Sequence, residues 1–212
     1  MSDKFGKIAE ALIAGKIQDV EKLAQEALDE GADAADILNK GLLAGMDVVG
    51  QRFKAGDMFI PEVLRSAKAM RLGTEVIGDK LIEGGVESAG TMVLGTVEGD
   101  LHDIGKNLVG MMFEGAGLKV VNIGIDLPPQ AFVDAVKEHK PQLLGMSALL
   151  TTTMPKMGET INALKEAGIR DQVKIMVGGA PVTEEFAKEI GADAYGANAA
   201  MAVDKGKELL GR

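Results

Sequence analysis

The chain has no cysteine and no tryptophan, a single tyrosine, and two histidines in 212 residues. Without cysteine there are no disulfides, no thiolate metal sites and no cysteine nucleophile. Aromatics make up 3% of the sequence, which leaves no platform on which bases could stack. Positive charge is also scarce. Lys and Arg number 23 against 32 Asp and Glu, for a formal net charge of −9. The deficit is spread along the chain, with 11 basic against 16 acidic residues up to position 90 and 12 against 16 after it. Neither half carries the basic stripe that neutralises a phosphate backbone, so nucleic acid is not an expected partner. No apolar run approaches the length of a membrane span, so no membrane partner is expected either. The opening MSDKFGKIAEALIAGKIQDV lacks the pattern of a secretory leader, and a cytoplasmic location is the expectation.

Apolar residues make up 46% of the chain, enough for a substantial core, and 28 glycines and 12 methionines stand out. Residues 1–88 read as a helical domain. Val63, Ala67, Met70, Thr74, Ile77 and Leu81 recur at spacings of four and three, which places them on one helical stripe. Leu38, Leu42, Met46 (or Gly45), Val49 and Phe53 do the same one helix earlier. Shorter patterns over Ile8–Ile13 and Val20–Leu28 bring the count to four. Breaks fall at Gly15, at Gly31-Ala-Asp and at the KAGD turn of 54–57, and Pro61 suits a first helical turn. Short connections favour an antiparallel four-helix bundle.

The texture changes near residue 84, where GGVESAG (84–90) reads as a linker. Over 89–212, apolar runs at 91–97, 118–124, 142–148, 173–179 and 192–196 alternate with amphipathic stretches such as PQAFVDAVKEHK and MPKMGETINALKEAG. That alternation predicts an α/β domain with a five-stranded parallel sheet covered on both faces, flavodoxin-like or Rossmann-like.

Ligands of such sheets bind outside the carboxyl ends of the strands. The unusual segments all fall there: EGDLHDIG, DLPP, SALLTTTM, GGAPVT and YGANAA. Any one of them could be an ordinary turn whose small polar residues cap a helix. Five together, with His102 between Asp100 and Asp103, favour a site for a large ligand. A phosphate-cradling GxxxxGK[ST] loop is excluded, because Gly105-Lys106 is followed by Asn107 and Asp100 occupies the first glycine position. The same acidic residues argue against FMN, and no GxGxxG fingerprint is present there. A receiver domain would carry an aspartate where this chain has Ser147. A zinc hydrolase needs several ligands, and His139 lies at a Lys-rich helix end, where it reads as a surface residue or helix-terminal charge. One imidazole beside one carboxylate is too little for a bare ion. It suffices for a metal that brings its other ligands in a macrocycle. The alternative is a hydrogen-bonded turn histidine.

DLHDIG (Asp100, His102, Asp103, Ile104, Gly105) matches the DxHxxG motif and resembles a cobalamin-binding domain. The resemblance continues in order. Ser147-Ala148-Leu149 is similar to the SxL segment, with Thr151 and Thr153 at further hydroxyl positions. Gly178-Gly179 is similar to the GG motif, and YGANAA, with Tyr195 and Gly196, to the segment near the end of the nucleotide tail. GMDVVGQRFKAGDMFIPEVL resembles the helical cap of methyl-transferring corrinoid proteins, with Phe53 and Ile60 at the positions that cover the upper cobalt face. The likeness spans nearly the whole chain. It points to the corrinoid methyl carriers of anaerobic methyltransferase systems, similar to the cap and B12-binding domains of cobalamin-dependent methionine synthase.

The resemblance implies a cobalamin or related corrinoid with His102 as lower axial ligand to cobalt, Asp100 behind it, and the displaced tail buried in the domain. It also implies a methyl carrier rather than a complete enzyme, cycling between Co(I) and methyl-Co(III). The implied partners are a substrate-specific methyltransferase, a second methyltransferase acting on tetrahydrofolate or a thiol, and a reductive activase. Gly105 would let the loop pack close to the corrin or its tail, and GGVESAG would serve as the hinge for a moving cap. Two other classes share the motif. A small subunit of an adenosylcobalamin-dependent mutase would not need the helical cap, and a cobalamin-dependent transcriptional sensor would need a basic N-terminal domain.

Overall fold

The computed structural model describes residues 4–84 and 89–211. Residues 85–88, the middle of the expected linker and hinge, lie outside the described residues. The chain forms two compact units: Met1–Ala89 with Glu114–Gly117, and Gly90–Phe113 with Leu118–Arg212.

The first unit is helical. It contains α1 (Lys4–Ile13), α2 (Ile17–Asp29), a helical run made of α3 (Ala34–Asp36), π-helical turns (Ile37–Leu43) and α4 (Ala44–Ala55), and then α5 (Ile60–Glu83). The expected breaks are real. Gly15, Gly31 and Gly56 all have positive φ, a conformation that costs glycine little. Asp33 opens α3 by accepting a hydrogen bond from the Ala35 amide at 2.7 Å. Pro61 sits in the first turn of α5, where Glu62 accepts from the Phe59 amide at 2.9 Å.

The α5 stripe is buried as its spacing predicts, except for half-buried Thr74, whose hydroxyl donates back to the Met70 carbonyl. The preceding stripe needs a correction. Ile37 is fully buried and Leu38 only half-buried, so the inward positions run Ile37, Leu42, Met46, Val49. The step of five from Ile37 to Leu42 belongs to the π-helical turns, which a 3.6-residue period cannot anticipate.

The second unit carries a parallel sheet in the order β2-β1-β3-β4-β5, the flavodoxin-like arrangement. Its strands are β1 (Thr91–Val97), β2 (Lys119–Leu127), β3 (Leu143–Ser147), β4 (Lys174–Gly178) and β5 (Ala194–Gly196). The helices are α6 (Ile104–Gly115), α7 (Pro129–His139), α8 (Pro155–Glu166), α9 (Glu184–Ile190) and α10 (Ala199–Leu209), with a short 3₁₀ turn at Arg170–Gln172.

β1 and β3 are central, nearly continuous apolar strands, and Val93, Leu144, Met146 and Ile175 pack with Phe132, Val136, Met157 and Ile161 of α7 and α8. Fully burying a side chain of this size stabilises by roughly 1.5–3 kcal/mol, which makes this core the main support of the strand ends.

Strand limits differ from expectation mainly at β2, which runs on to Leu127 rather than ending near residue 124. As an edge strand it tolerates irregularity. Its pairing with β1 slips between Asn122 and Gly124 and again between Gly124 and Leu127, each time with one extra residue on β2.

A candidate cofactor site at the β1–β3 switch point

Strand order reverses between β1 and β3, so their following loops diverge and leave a crevice at the carboxyl edge. Asp100 sits in that crevice with no solvent exposure. Its Oδ1 accepts from the His102 backbone amide at 3.1 Å and lies 2.7 Å from His102 Nδ1. Its Oδ2 accepts from the amides of Leu149 and Leu150 at 2.7 and 3.2 Å. Thr153 Oγ1 lies 2.8 Å from the same oxygen and 2.9 Å from the Leu150 carbonyl oxygen. A hydroxyl has one proton, and the carboxylate is the stronger acceptor.

Burial pushes the Asp100 carboxyl up. The Leu149 amide, the amide and ring of His102, and the Thr153 hydroxyl outweigh it and hold the group well below the usual carboxylate range. A consequence is acid sensitivity. The folded carboxyl titrates below the unfolded value of about 3.9. Its stabilisation is therefore complete above that pH and is lost as pH falls toward the folded value. Acid unfolding followed by circular dichroism should have a component that sets in below about pH 4 and is absent from Asp100→Asn. An identical acid limb in the variant would exclude Asp100 as its source.

The ionised carboxylate only accepts, so the proton between it and the imidazole resides on His102 Nδ1. In the neutral ring Nε2 then carries the lone pair. The ring is 51% exposed, and among the described residues Nε2 has no hydrogen-bond partner. Thr96, buried at the end of β1, donates to the His102 carbonyl at 3.0 Å and holds the backbone beneath the ring. His102 is thus a tethered imidazole offering one nitrogen outward, the arrangement of a metal-ligating histidine backed by a carboxylate.

The surroundings fit a large, mostly apolar ligand. Leu101, Leu149 and Leu150 are exposed in the loops after β1 and β3, Ile104 is exposed at the start of α6, and Ile125 is exposed near the end of β2. Gly105 has open space around it: an added Cβ would meet no heavy atom within 4 Å. Nothing in the fold requires glycine there, which leaves room for a bound group as the reason for it. A corrinoid ring fits this combination of outward nitrogen, exposed aliphatic side chains and a bare glycine.

The other expected site residues divide. Thr153 is buried and belongs to the Asp100 cluster, a link its place in a run of three threonines did not reveal. Ser147 ends β3 half-buried, next to Gly178 in the β3–β4 pairing, and Thr151 is exposed in the loop beyond. Gly178 ends β4 and Gly179 follows it. At Gly179, φ is +133° and any Cβ would collide with the Ala148 carbonyl oxygen, so the fold alone demands glycine there. Tyr195 and Gly196 form β5, and the tyrosine packs partly against the core.

Asp103 accepts from Asn107 Nδ2 at 2.9 Å. It anchors a polar network in which the buried Lys106 ammonium donates to Asn107 and Asn122. Burial pushes that ammonium's pKa down, opposed by the Asp103 carboxylate. Phe53, half-buried in α4, and Ile60, exposed at the start of α5, belong to the helical unit. The caps account for part of the loop composition, as Thr183 accepts from the Phe186 amide and Asn198 from the Met201 amide. His139 ends α7, with Nε2 3.9 Å from the Glu138 carboxylate. Leu101, Leu150, Thr96 and Ile125 were not singled out from sequence, because an apolar residue or a strand threonine carries no chemical signature by itself.

Comparison with known proteins shows what the chain is similar to. Two family models, both described as a B12 binding domain, match residues 90–204 and residues 5–77. The second match covers the region where a transcriptional sensor would need a basic domain. The trimethylamine corrinoid protein of Methanosarcina barkeri is 47% identical over 97% of this chain and 96% of its own length. A corrinoid protein of Desulfitobacterium hafniense is 44% identical over 97% of each. Among solved structures, the methanol:cobalamin methyltransferase complex of Methanosarcina barkeri contains a chain with a TM-score of 0.88 and 33% identity, covering 99% of this chain and 80% of that one. A cobalamin-binding protein of Desulfitobacterium hafniense matches with a TM-score of 0.80 and 32% identity over 99% of both chains. No described helix is long and apolar enough to cross a membrane. With a tethered imidazole at the switch point and relatives of this kind over nearly its full length, the chain belongs to the B12-binding corrinoid proteins of methyltransferase systems.

Proposed function

We propose that this protein binds a corrinoid through His102 Nε2 and carries a methyl group between two methyltransferases. The observation that carries the ligand assignment is the 2.7 Å contact between Asp100 and His102 Nδ1, which leaves Nε2 as the outward lone pair. The corrin-bound cobalt would supply the chemistry, accepting and releasing the methyl group. The chain's own residues do the rest. Asp100 holds the Nδ1 proton and sets the ring's orientation, and Thr153 with the Leu149 and Leu150 amides holds Asp100. When Nε2 is not bound to metal it can take a proton, and the adjacent carboxylate faces the resulting imidazolium. Ser147, Leu149, Thr151, Gly178, Gly179, Tyr195 and Gly196 are assigned to the ring and tail through the resemblance, and they lie at the ends of β3, β4 and β5 or just after them. Phe53 and Ile60 enter the proposal through the family resemblance alone.

The relatives named for trimethylamine and dimethylamine share 44–49% identity with this chain, which puts methylated amines first among donors to test and methanol after them. A tetrahydrofolate or thiol methyltransferase would take the group onward, and a reductive activase would restore cobalt that has been oxidised. The test is to load the protein with cobalamin, reduce it, and add each purified donor methyltransferase with its methylated substrate. Methylation seen in the visible spectrum with one pair and not the others identifies the donor. Cobalamin that stays bound to its own base and is methylated by none would overturn the carrier reading.

A further inference from the structure

Asp126 sits at the second irregularity of β2, with φ at +53°, one of two non-glycine residues with positive φ among the described residues. Bulges of this kind re-aim residues at the rims of sheets, and aspartate tolerates the left-handed region better than most residues. The turn delivers two contacts to the loop after β1. Asp126 Oδ1 accepts from the Gly99 amide at 2.7 Å, and the Asp126 amide donates to the Asp100 carbonyl oxygen at 3.1 Å. Asp100 is therefore gripped from two sides. The β3 loop holds its carboxylate through Leu149, Leu150 and Thr153, and the β2 end holds its backbone through Asp126.

We propose that Asp126 is a positioning residue, which fixes the Asp100 backbone so that the His102 imidazole is set in its ligating tautomer before a corrinoid arrives. This rests on the reading of His102 as the metal ligand. It explains why a β2 with an extra residue carries aspartate rather than glycine at a left-handed position: glycine would supply the φ but not the acceptor for Gly99.

Three substitutions separate those functions. All keep the backbone amide that donates to the Asp100 carbonyl; Asp126→Asn also keeps an acceptor oxygen for Gly99 and left-handed tolerance, Asp126→Gly keeps the backbone freedom without the acceptor, and Asp126→Ala keeps neither. The chain has two histidines, so ¹⁵N-histidine labelling gives a two-residue imidazole spectrum in which His139 is the internal control. At fixed alkaline pH the cofactor-free wild type should show His102 with its proton on Nδ1. Asp126→Asn should match it. Asp126→Gly and Asp126→Ala should show mixed tautomers and bind cobalamin roughly 10-fold more weakly, the lower end of what supporting residues of a metal ligand contribute. Comparing the Gly variant with the Ala variant removes folding as the explanation, since only alanine strains the turn. Wild-type tautomer and affinity in Asp126→Gly would overturn the role of Asp126 while leaving His102 as ligand. A wild type without the Nδ1 proton on His102 would overturn the ligand reading and this proposal together.

Discussion

Replacing His102 with alanine is expected to abolish nitrogen coordination from the protein while leaving the fold intact. The ring is half-exposed and the Asp100 oxygen it leaves keeps the backbone amide of residue 102 as donor, so stability should change by no more than about 1 kcal/mol. Binding is another matter. Loss of a supporting residue typically weakens a metal site 10- to 100-fold, and loss of the ligand itself should cost at least roughly that much. The direct readout is the EPR spectrum of the Co(II) form. Wild-type protein should show nitrogen splitting from an imidazole, and the variant should lose it. The same splitting in both proteins would mean that cobalamin keeps its own base on the metal. His102 would then return to being a turn residue.

Asp100→Asn should have an effect of similar size for a different reason. Every group around the two carboxylate oxygens is a donor in the present geometry: two backbone amides on one side, a backbone amide and Nδ1 on the other, with the Thr153 hydroxyl. An asparagine must turn its NH₂ toward one side. Facing Leu149 and Leu150, it meets two amides that cannot become acceptors. Facing His102, it meets one amide and an imidazole that can shift its proton to Nε2 and accept at Nδ1. The second orientation costs less, so the variant should fold with a loss of about 1–3 kcal/mol for the amide left facing a donor. The protonated Nε2 can then no longer ligate.

Weak cobalamin binding in a folded Asp100→Asn protein, with the His102 proton on Nε2, is the expected result. The Co(II)/Co(I) potential of any loaded variant, and its dependence on pH, should also differ from wild type, because the carboxylate no longer faces the His102 ring. Wild-type affinity and an unchanged potential across pH would show that Asp100 only anchors the loop.

Much of this was legible beforehand for definite reasons. β1 and β3 are buried on both faces, and that leaves a nearly continuous apolar run in the sequence. Helix ends show in Gly15, Gly31 and Gly56 because each needs a positive φ that other residues resist. The π-helical turns at Ile37–Leu43 did not show, since periodicity assumes one helical pitch and tertiary packing chose another. The end of β2 did not show either, because an edge strand with two extra residues has no fixed alternation to read. Tyr195 reads as a possible tail contact by position, while the structure also gives it a place against the core.

Asp100 and His102 stand two residues apart, and that spacing by itself places a carboxylate within reach of a ring nitrogen. A local pair of this kind is written in the sequence, as are the strands, the caps and the acidic balance. The environment that makes the pair useful is assembled from segments far apart in the chain. Thr153 and the Leu149 amide reach Asp100 from about fifty positions away, and Asp126 reaches it from the far side of a bulged edge strand. Their meeting depends on the reversal of strand order between β1 and β3, a long-range choice made by core packing and invisible to any local pattern. That reversal buries the carboxylate, surrounds it with donors and leaves one imidazole nitrogen facing outward.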